Sequence, residues 1–514
     1  MLSGIFYVRK ALDKALSSHN VVTAHCAVTT ARNVKSLDMT IAKNKHKLLL
    51  IRPLIRGYVN SQSAEQFETS IGLVPPLNLC CLAAVIEDAG YPAAIYDCEA
   101  KGNSEEQLIN YLRAAKPDIV GISIITTNFH GALLTAKIVK QVLPQATVIC
   151  GGSHMLIFPR ETFTYNEFDF GFVGEAEAPL VDFLKLIKNK TQKYAEIPGL
   201  VWRDEEKVIM NEPFGFNENL DLLPAPAYHL LDLSSYHMPN TKGNVVSLFL
   251  SRGCPFKCGF CFRSPLLQKV RYKSVDKAID EIESITKRFD IKSINFVDET
   301  ISLRKEYFLD FCKKLRAKKL SVEWQSPTRA NFVDEEIVRA AKQAGCHTFR
   351  FGIESGSQEI LKKIDKGIDL AQSRQAVSLC RKYGIKTVAY FIIGYLGETE
   401  GTIRQTIKFA RELKPNYAAF FPATPMPATE LYKESEEKGL VPKDYWRDFV
   451  LGKRSDALPF VFPDAGVWVI KAYKSFYFSP RYILKQMKTA AFYKNFFKNL
   501  KLALNLFLMK FKRG

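Results

Sequence analysis

The chain has 514 residues, 47% of them hydrophobic and 24% charged, with a formal net charge of +19. This composition supports about two to four domains with sizeable cores and excludes a disordered chain. Eleven cysteines without regular pairing exclude a disulfide-built secreted scaffold and point to a reducing, cytoplasmic setting.

Residues 1–46 carry Ser, Thr, Arg and Lys but few acids, and no A-x-A cleavage signature follows an apolar core. They read as an over-extended start or a flexible arm, with an organelle transit peptide left open. Residues 47–190 read as a Rossmann-like open sheet. Lys47–Pro53 predicts a buried strand, Leu77–Gly90 a helix ended by glycine, and Ala93–Tyr96, Asp118–Thr126 and Ala146–Gly152 further strands. No G-x-G-x-x-G follows the first strand, which argues against NAD. Residues 191–243 form a linker, with a hairpin near Pro198–Trp202 and a stiff Leu223-Pro-Ala-Pro226 run.

From 244 to 440, six short apolar runs alternate with amphipathic segments: Val245–Leu250, Ser293–Val297, Val322–Gln325, Thr348–Ile353, Thr387–Ile393 and Tyr417–Phe421. Alternating strand and helix predicts parallel βαβ units, here closed into a partial barrel with its site groups at the C-terminal strand ends. Residues 441–514 form a basic helical region without Asp or Glu from Gly466 onward. Tyr493, Phe496, Phe497, Leu500, Leu504, Phe507, Leu508 and Phe511 recur at helical spacing, with Lys494, Lys498 and Lys501 around the turn. Such a helix lies on an anionic membrane surface or docks on the barrel, and its lysines exclude a transmembrane span. No RNA-binding module is present, so nucleic acid is not an expected partner.

The most specific chemical signal is Cys254-Pro-Phe-Lys-Cys258-Gly-Phe-Cys261, placed directly after the first barrel strand. Three thiolates hold three corners of a 4Fe-4S cube and leave the fourth iron open to a small molecule. Structural zinc would need a fourth closing ligand, and the nearest candidates, His229, His237 and Cys312, are not at zinc-ribbon spacing.

With Phe260 before its last cysteine, this triplet resembles the signature of the radical S-adenosylmethionine (SAM) superfamily. Ile294-Asn-Phe-Val-Asp-Glu299, Trp324-Gln-Ser-Pro-Thr-Arg329, Phe351-Gly-Ile-Glu-Ser-Gly356 and Phe391-Ile-Ile-Gly-Tyr-Leu-Gly-Glu398 resemble the superfamily's second to fifth strands. The resemblance implies that Cys254, Cys258 and Cys261 ligate the cluster and that Phe260 lies beside the cofactors. It further implies that Asp298 and Glu299 lie near the methionyl amine of SAM, that Glu354 and Ser355 face its ribose or methionyl group, and that Arg329 pairs with its carboxylate. It also implies a 5′-deoxyadenosyl radical and an external electron donor such as a flavodoxin or ferredoxin.

In the first domain, Gly121-Ile-Ser123, Thr126-Thr127, Gly151-Gly-Ser-His154 and Phe172-Val-Gly-Glu-Ala-Glu177 resemble the cobalamin-binding domain found ahead of many radical SAM modules. That resemblance implies cobalamin contacts from Ser123, Thr127, Gly151, Gly152, Gly174 and Glu175. Where such domains carry Asp-x-His-x-x-Gly to supply an axial histidine, this chain reads Arg52-Pro-Leu-Ile-Arg-Gly-Tyr58. Cobalt then lacks a histidine from that motif, and His130 and His154 read as helix-start or loop residues.

The fold class implied is α/β: a Rossmann-like cobalamin-binding domain, a partial (β/α)6 radical SAM barrel and a helical C-terminal tail. The function implied is a cobalamin-dependent radical SAM enzyme, a C-methyltransferase using SAM as radical source and methyl donor. An oxidative cyclase or rearrangement enzyme on a tetrapyrrole-like substrate is the alternative, with a cobalamin-binding regulator behind it. The substrate is a small molecule, and the basic tail suits an apolar one met at a membrane. No catalytic base is obvious in the sequence.

Overall fold

The structure, a computed structural model, describes residues 47–55, 72–213, 215–238, 241–262, 264, 267–454 and 460–487. The arm at 1–46 and the amphipathic tail expected at 493–511 lie outside the described residues.

Strand β1 (Leu48–Arg52) reads LLLIR and is buried on both faces, the pattern of a central parallel strand. It is flanked by β2 (Ala93–Asp97) and β3 (Ile119–Ser123), and the sheet continues through β4 (Thr147–Gly151) and β5 (Phe170–Phe172), all parallel. Helices α1 (Leu77–Asp88), α2 (Glu105–Ala115), α3 (Phe129–Val142) and α4 (Glu177–Asn189) accompany it. The hairpin expected in the connector forms β6 (Leu200–Asp204), antiparallel to β5, and β7 (Lys207–Met210), antiparallel to β6, which extend this same sheet. The order β2-β1-β3-β4-β5-β6-β7 reverses direction at β1 and β3. A ligand crevice opens outside the carboxyl ends of the strands at such a switch point.

The second sheet has six parallel strands in sequence order: β8 (Asn244–Leu248), β11 (Ile291–Phe296), β12 (Glu323–Thr328), β13 (Cys346–Glu354), β14 (Lys386–Ile393) and β15 (Tyr417–Pro422). Between β8 and β11 stands a two-stranded ribbon, β9 (Ser251–Arg252) with β10 (Arg271–Tyr272), which closes the loop carrying the cysteines. Helices α5 (Val275–Phe289), α6 (Lys305–Ala317), α7 (Glu335–Gln343), α8 (Leu370–Lys382) and α9 (Glu400–Leu413) cover the outer face, making a half-barrel. On β13, Phe349, Phe351 and Ile353 are buried in the helix-side core, so Arg350 and Gly352 face the lumen. The outer core centres on Trp324, which packs against Phe296, Phe308, Phe311 and Phe349 and donates its indole N–H to Ala344 O at 2.8 Å.

Part of the C-terminal region docks on the barrel. In α10 (Ala465–Tyr477), Tyr477 Oη donates to Ala418 O at 2.8 Å and accepts from Ala418 N at 3.2 Å, tying the helix to β15. The following helix, Pro480–Met487, buries no residue and exposes Ile483, Leu484 and Met487. Among the described residues no helix is long and apolar enough to cross a membrane.

The turn after β14 caps the barrel mouth. Gly394 has φ +84°, and a Cβ there would lie 2.8 Å from Phe462 Cβ and 2.9 Å from Ala465 Cβ. Glu398 closes the turn by accepting the Gly394 and Tyr395 amides through Oε2, while its buried Oε1 has no hydrogen-bond partner. Burial pushes this carboxyl up to about 7. The native state therefore holds a proton that the unfolded chain has already released, and stability falls as pH rises through that window. Glu398→Gln is expected to flatten the fall in stability between about pH 5 and 7, read by urea unfolding at a series of pH values.

Candidate active site

The cysteine loop, residues 253–270, is closed at a neck held from two sides. On the barrel side Asp298, just past β11, accepts from Leu250 N, Ser251 N and Ser251 Oγ, the last two at 2.6 Å. Burial raises its carboxyl despite these bonds. Asp298 is therefore engaged with the base of the loop. On the other side Arg271 makes a two-pronged pair with Glu175 at 2.8 and 2.9 Å, and Arg252 reaches Glu175 at 3.3 Å and Glu177 at 2.7 Å. Burial alone would raise the Glu175 carboxyl, but Arg271 and Arg252 hold it below its ordinary value. Gly253 has φ +102°, and a Cβ there would sit 2.2 Å from Lys269 O, so the neck closes only around glycine.

Beyond the neck, Gly259 N donates to Ile364 O and Gly259 O accepts from Leu431 N, both at 2.8 Å. These bonds seat Cys258 in an apolar cluster with Ile360, Ile364, Tyr395 and Leu431, against which Phe260 packs. Cys261 is exposed and Cys254 partly so. Burial raises the Cys254 thiol and pushes Cys261 up to about 11, with the neighbouring cysteines adding to both. Such thiols are poor free nucleophiles and release their protons to a metal. Among the described residues no three His, Cys, Asp or Glu side chains converge on a point that would hold a single ion. Three thiols on one loop, one buried and two reachable from solvent, are a donor set suited to an iron–sulfur cluster.

Arg329, at the end of β12, stacks 3.7 Å from the Phe256 ring centroid and points Nη1 at Cys258 Sγ, 3.6 Å away. Its Nη2 donates to Lys366 O, and its buried Nε has no partner. Lys366 Nζ in turn donates to Glu354 Oε1 at 2.6 Å and lies 5.7 Å from the Phe260 ring centroid. Glu354 has φ +65°, a left-handed conformation that this buried pair helps maintain. Gly352 makes room for it, since a Cβ there would lie 2.3 Å from Glu354 Oε1. Lys366 is absent from the sequence-derived site because it lies on a connection between helices, away from any strand end. Ser355 is turned away from the mouth, bonding Thr406 Oγ1 and Ser357 N at 3.1 Å under α9. Glu299 is solvent-accessible but recessed, close enough to influence both Cys254 and Cys261, and burial pushes its carboxyl up to about 7.

At the carboxyl edge of the first sheet, Ser123 accepts from Asn78 Nδ2 at 2.8 Å, and Ile125 is 46% exposed. Thr127 is buried in the turn 126–128. Gly151 has no atom within 4 Å of where its Cβ would be, whereas a Cβ on Gly152, with φ +106°, would meet Ile124 O at 2.5 Å. Gly174, with φ +104°, turns the chain just ahead of Glu175. Glu175 pairs with both arginines of the neck. His154 is fully buried, with Nδ1 3.0 Å from Thr126 Oγ1 and Nε2 2.9 Å from Thr162 Oγ1, and burial pushes it down to about 3. His130 packs on Phe449 at 4.4 Å. Both ring nitrogens of His154 are thus occupied, and His130 is held against the C-terminal region.

Residues 248–410 match the radical SAM superfamily and residues 68–184 the B12 binding domain. The chain is 32% identical over 416 residues to an uncharacterized methyltransferase of Pyrococcus horikoshii, covering 80% of this chain and 90% of that protein. It is 28% identical to an anaerobic magnesium-protoporphyrin IX monomethyl ester cyclase of Rubrivivax gelatinosus, over 76% of this chain and 70% of the cyclase. Among solved structures, the radical SAM methyltransferase TsrM of Kitasatospora setae, with cobalamin and a [4Fe-4S] cluster bound, shares the fold at a TM-score of 0.61. That match covers 77% of this chain and 75% of TsrM at 18% identity. The chain belongs to the B12-binding radical SAM enzyme family, alongside methyltransferases. The cofactors of that class, a 4Fe-4S cluster, SAM and cobalamin, fit what is present: a three-cysteine loop, a buried arginine with a spare N–H beside it, and an open glycine edge on the first sheet.

The neck sets the energetic scale of this arrangement. Arg271 is 3% exposed in its side chain, so Glu175→Gln leaves an enclosed guanidinium without its charge partner. The variant is expected to cost about 3 kcal/mol of stability and to lose iron on desalting. Glu218→Gln, which removes a pair whose side chains are 58% and 61% exposed, is expected to change stability by less than about 0.5 kcal/mol. Denaturant unfolding and iron content of the anaerobically purified variants check both.

Proposed function

We propose that the chain is a C-methyltransferase that takes both its methyl group and its radical from SAM and acts on a small molecule between the two sheets' carboxyl edges. The observation that supports this reading is the shared neck, in which Glu175 and Glu177 beside the first sheet grip Arg252 and Arg271 at the base of the cysteine loop. When bound, the cluster with SAM supplies a 5′-deoxyadenosyl radical, and cobalamin supplies a transferable methyl group. In this reading Cys254, Cys258 and Cys261 hold the cluster. Arg329 sets positive charge against Cys258, and its spare Nε suits a carboxylate such as that of SAM. Glu299 offers the methionyl amine an acceptor, and the Glu354–Lys366 pair shapes the floor on which the cofactor rests. Ser123, Gly151, Gly152 and Gly174 line the cobalamin side, with Thr127 behind them. The apolar surroundings of Cys258 keep water from the cluster's inner side.

The cyclase relatives supply a second reading, oxidative cyclisation or rearrangement of a tetrapyrrole-like substrate with the same cofactors. A regulator with a vestigial cluster site is disfavoured by the intact loop, its three thiols and their supports. An external one-electron donor such as a flavodoxin or ferredoxin, a cytoplasmic setting and contact of the basic tail with a membrane complete the proposal. The exposed Ile483, Leu484 and Met487 at the last described helix support the membrane contact.

Anaerobically reconstituted protein given SAM and dithionite is expected to form 5′-deoxyadenosine and S-adenosylhomocysteine, and Cys258→Ala to form no deoxyadenosine. Deoxyadenosine without S-adenosylhomocysteine would favour the cyclase reading. Neither product from iron-replete wild type would contradict both.

A further inference from the structure

Enclosed cations in the described structure come with partners. Arg252 and Arg271 meet Glu175 and Glu177, Lys273 meets Glu281 at 2.7 Å, and Lys366 meets Glu354 at 2.6 Å. Arg203 gives its N–H groups to the carbonyls of Phe163, Tyr165 and Phe168. Arg329 lies against Cys258 Sγ. Arg350 has a single hydrogen-bond partner, a backbone carbonyl.

Arg350 stands on the lumen face of β13, opposite the buried row of Phe349, Phe351 and Ile353. Its Nη2 donates to Phe296 O at 3.0 Å. The carbonyl needs that donor. Val297 N bonds Leu248 O on the β8 side, so the Phe296 carbonyl points to β12, where Pro327 has no N–H to give. This bond uses one of five guanidinium N–H donors and none of the charge. Among the described residues no carboxylate pairs with Arg350; its ionisable neighbours are Tyr390 and His347, and burial disfavours its charged form. A guanidinium only partly open to solvent and without a counter-ion leaves charge to be matched, which makes a charge-bearing ligand the natural complement.

The surroundings point to the same lumen. Asn295, on the inner face of β11, gives Nδ2 to Ser247 Oγ at 3.3 Å and leaves a buried Oδ1 without a partner. Two residues on, Val297 is 43% exposed, so the lumen is open at the level of Pro327 and Arg350. Arg350 lies four residues before Glu354, about 13 Å down the strand from the mouth at roughly 3.3 Å per residue.

We infer that Arg350 binds an anionic group of the substrate, a carboxylate or phosphoryl group, inside the barrel, with Asn295 accepting a hydrogen bond from the same molecule. The inference names the substrate class of the proposed methyltransferase site and rests on that reading. SAM also carries a carboxylate, so the test separates the two sources.

Full-length reconstituted wild type, Arg350→Gln and Arg350→Lys are titrated with SAM, and separately with inorganic phosphate and with acetate against chloride at constant ionic strength. The shift of the unfolding midpoint reports each affinity. Phosphate or acetate is expected to stabilise the wild type, with affinity falling about tenfold in Arg350→Gln and less in Arg350→Lys, while SAM affinity stays unchanged. A SAM affinity that falls with the anion response would assign the guanidinium to SAM and overturn the inference. So would an anion response equal in all three proteins or missing from the wild type. If Arg350→Gln does not fold, Arg350→Lys decides the matter, because it keeps the charge and loses the fork. No readout depends on methyl transfer, so the inference and the methyltransferase reading fail separately.

Discussion

The neck of the cysteine loop is held by charges enclosed between the two sheets. Residues 253–270 leave and return through one short ribbon. Both arginines of the closing pair, Arg252 and Arg271, end on Glu175, while Asp298 fixes the preceding turn through three donors. Each contact joins parts of the chain that are distant in sequence. The neck is thus where the first sheet, the barrel and the metal-binding loop meet, and loss of one carboxylate leaves a guanidinium stranded rather than merely loosening a surface pair.

A second layer of charge lies deeper. Arg329, Lys366 and Glu354 connect the ends of β12 and β13 to the connection behind the cysteine loop, with Phe256 and Phe260 as flat walls. The left-handed Glu354 and the bare Gly352 show the backbone yielding space to this pair. Positive groups therefore face the thiol that is buried, and the acid with an upward-shifted carboxyl, Glu299, faces the thiols that are open. A net-negative cluster and a zwitterionic cofactor would each find complementary charge here.

Much of the fold was legible because the strands of the first sheet read as short apolar runs and several of those in the barrel carry apolar residues at least at every second position. LLLIR at β1 and the six runs of the barrel fall where the strands are observed. The cysteine loop was legible from spacing alone. What could not be read was the direction in which a strand-end side chain turns. Asp298 and Ser355 stand at the strand ends where the resemblance sets them, but the first folds back on Leu250 and Ser251 and the second on Thr406, because local amide and hydroxyl donors lie closer than the open mouth. Glu175 follows the glycine turn as the motif requires, yet its partners arrive from a distant ribbon, Arg271 from 96 residues away. Lys366 and Arg350 had no signal: one is a loop lysine and the other a strand arginine, and each gains meaning only from neighbours on other strands.

In the proposed enzyme two cofactor sites share one clamped mouth, the cluster on the cysteine loop and cobalamin over the glycine edge of the first sheet. Crystals of the anaerobically reconstituted protein, measured across the iron and cobalt absorption edges, test it most directly. Iron density is expected against Cys254, Cys258 and Cys261, and cobalt beyond Gly151 and Ile125, facing it. Iron bound away from the three cysteines, or cobalt absent from that edge in protein that retains cobalamin, would contradict it.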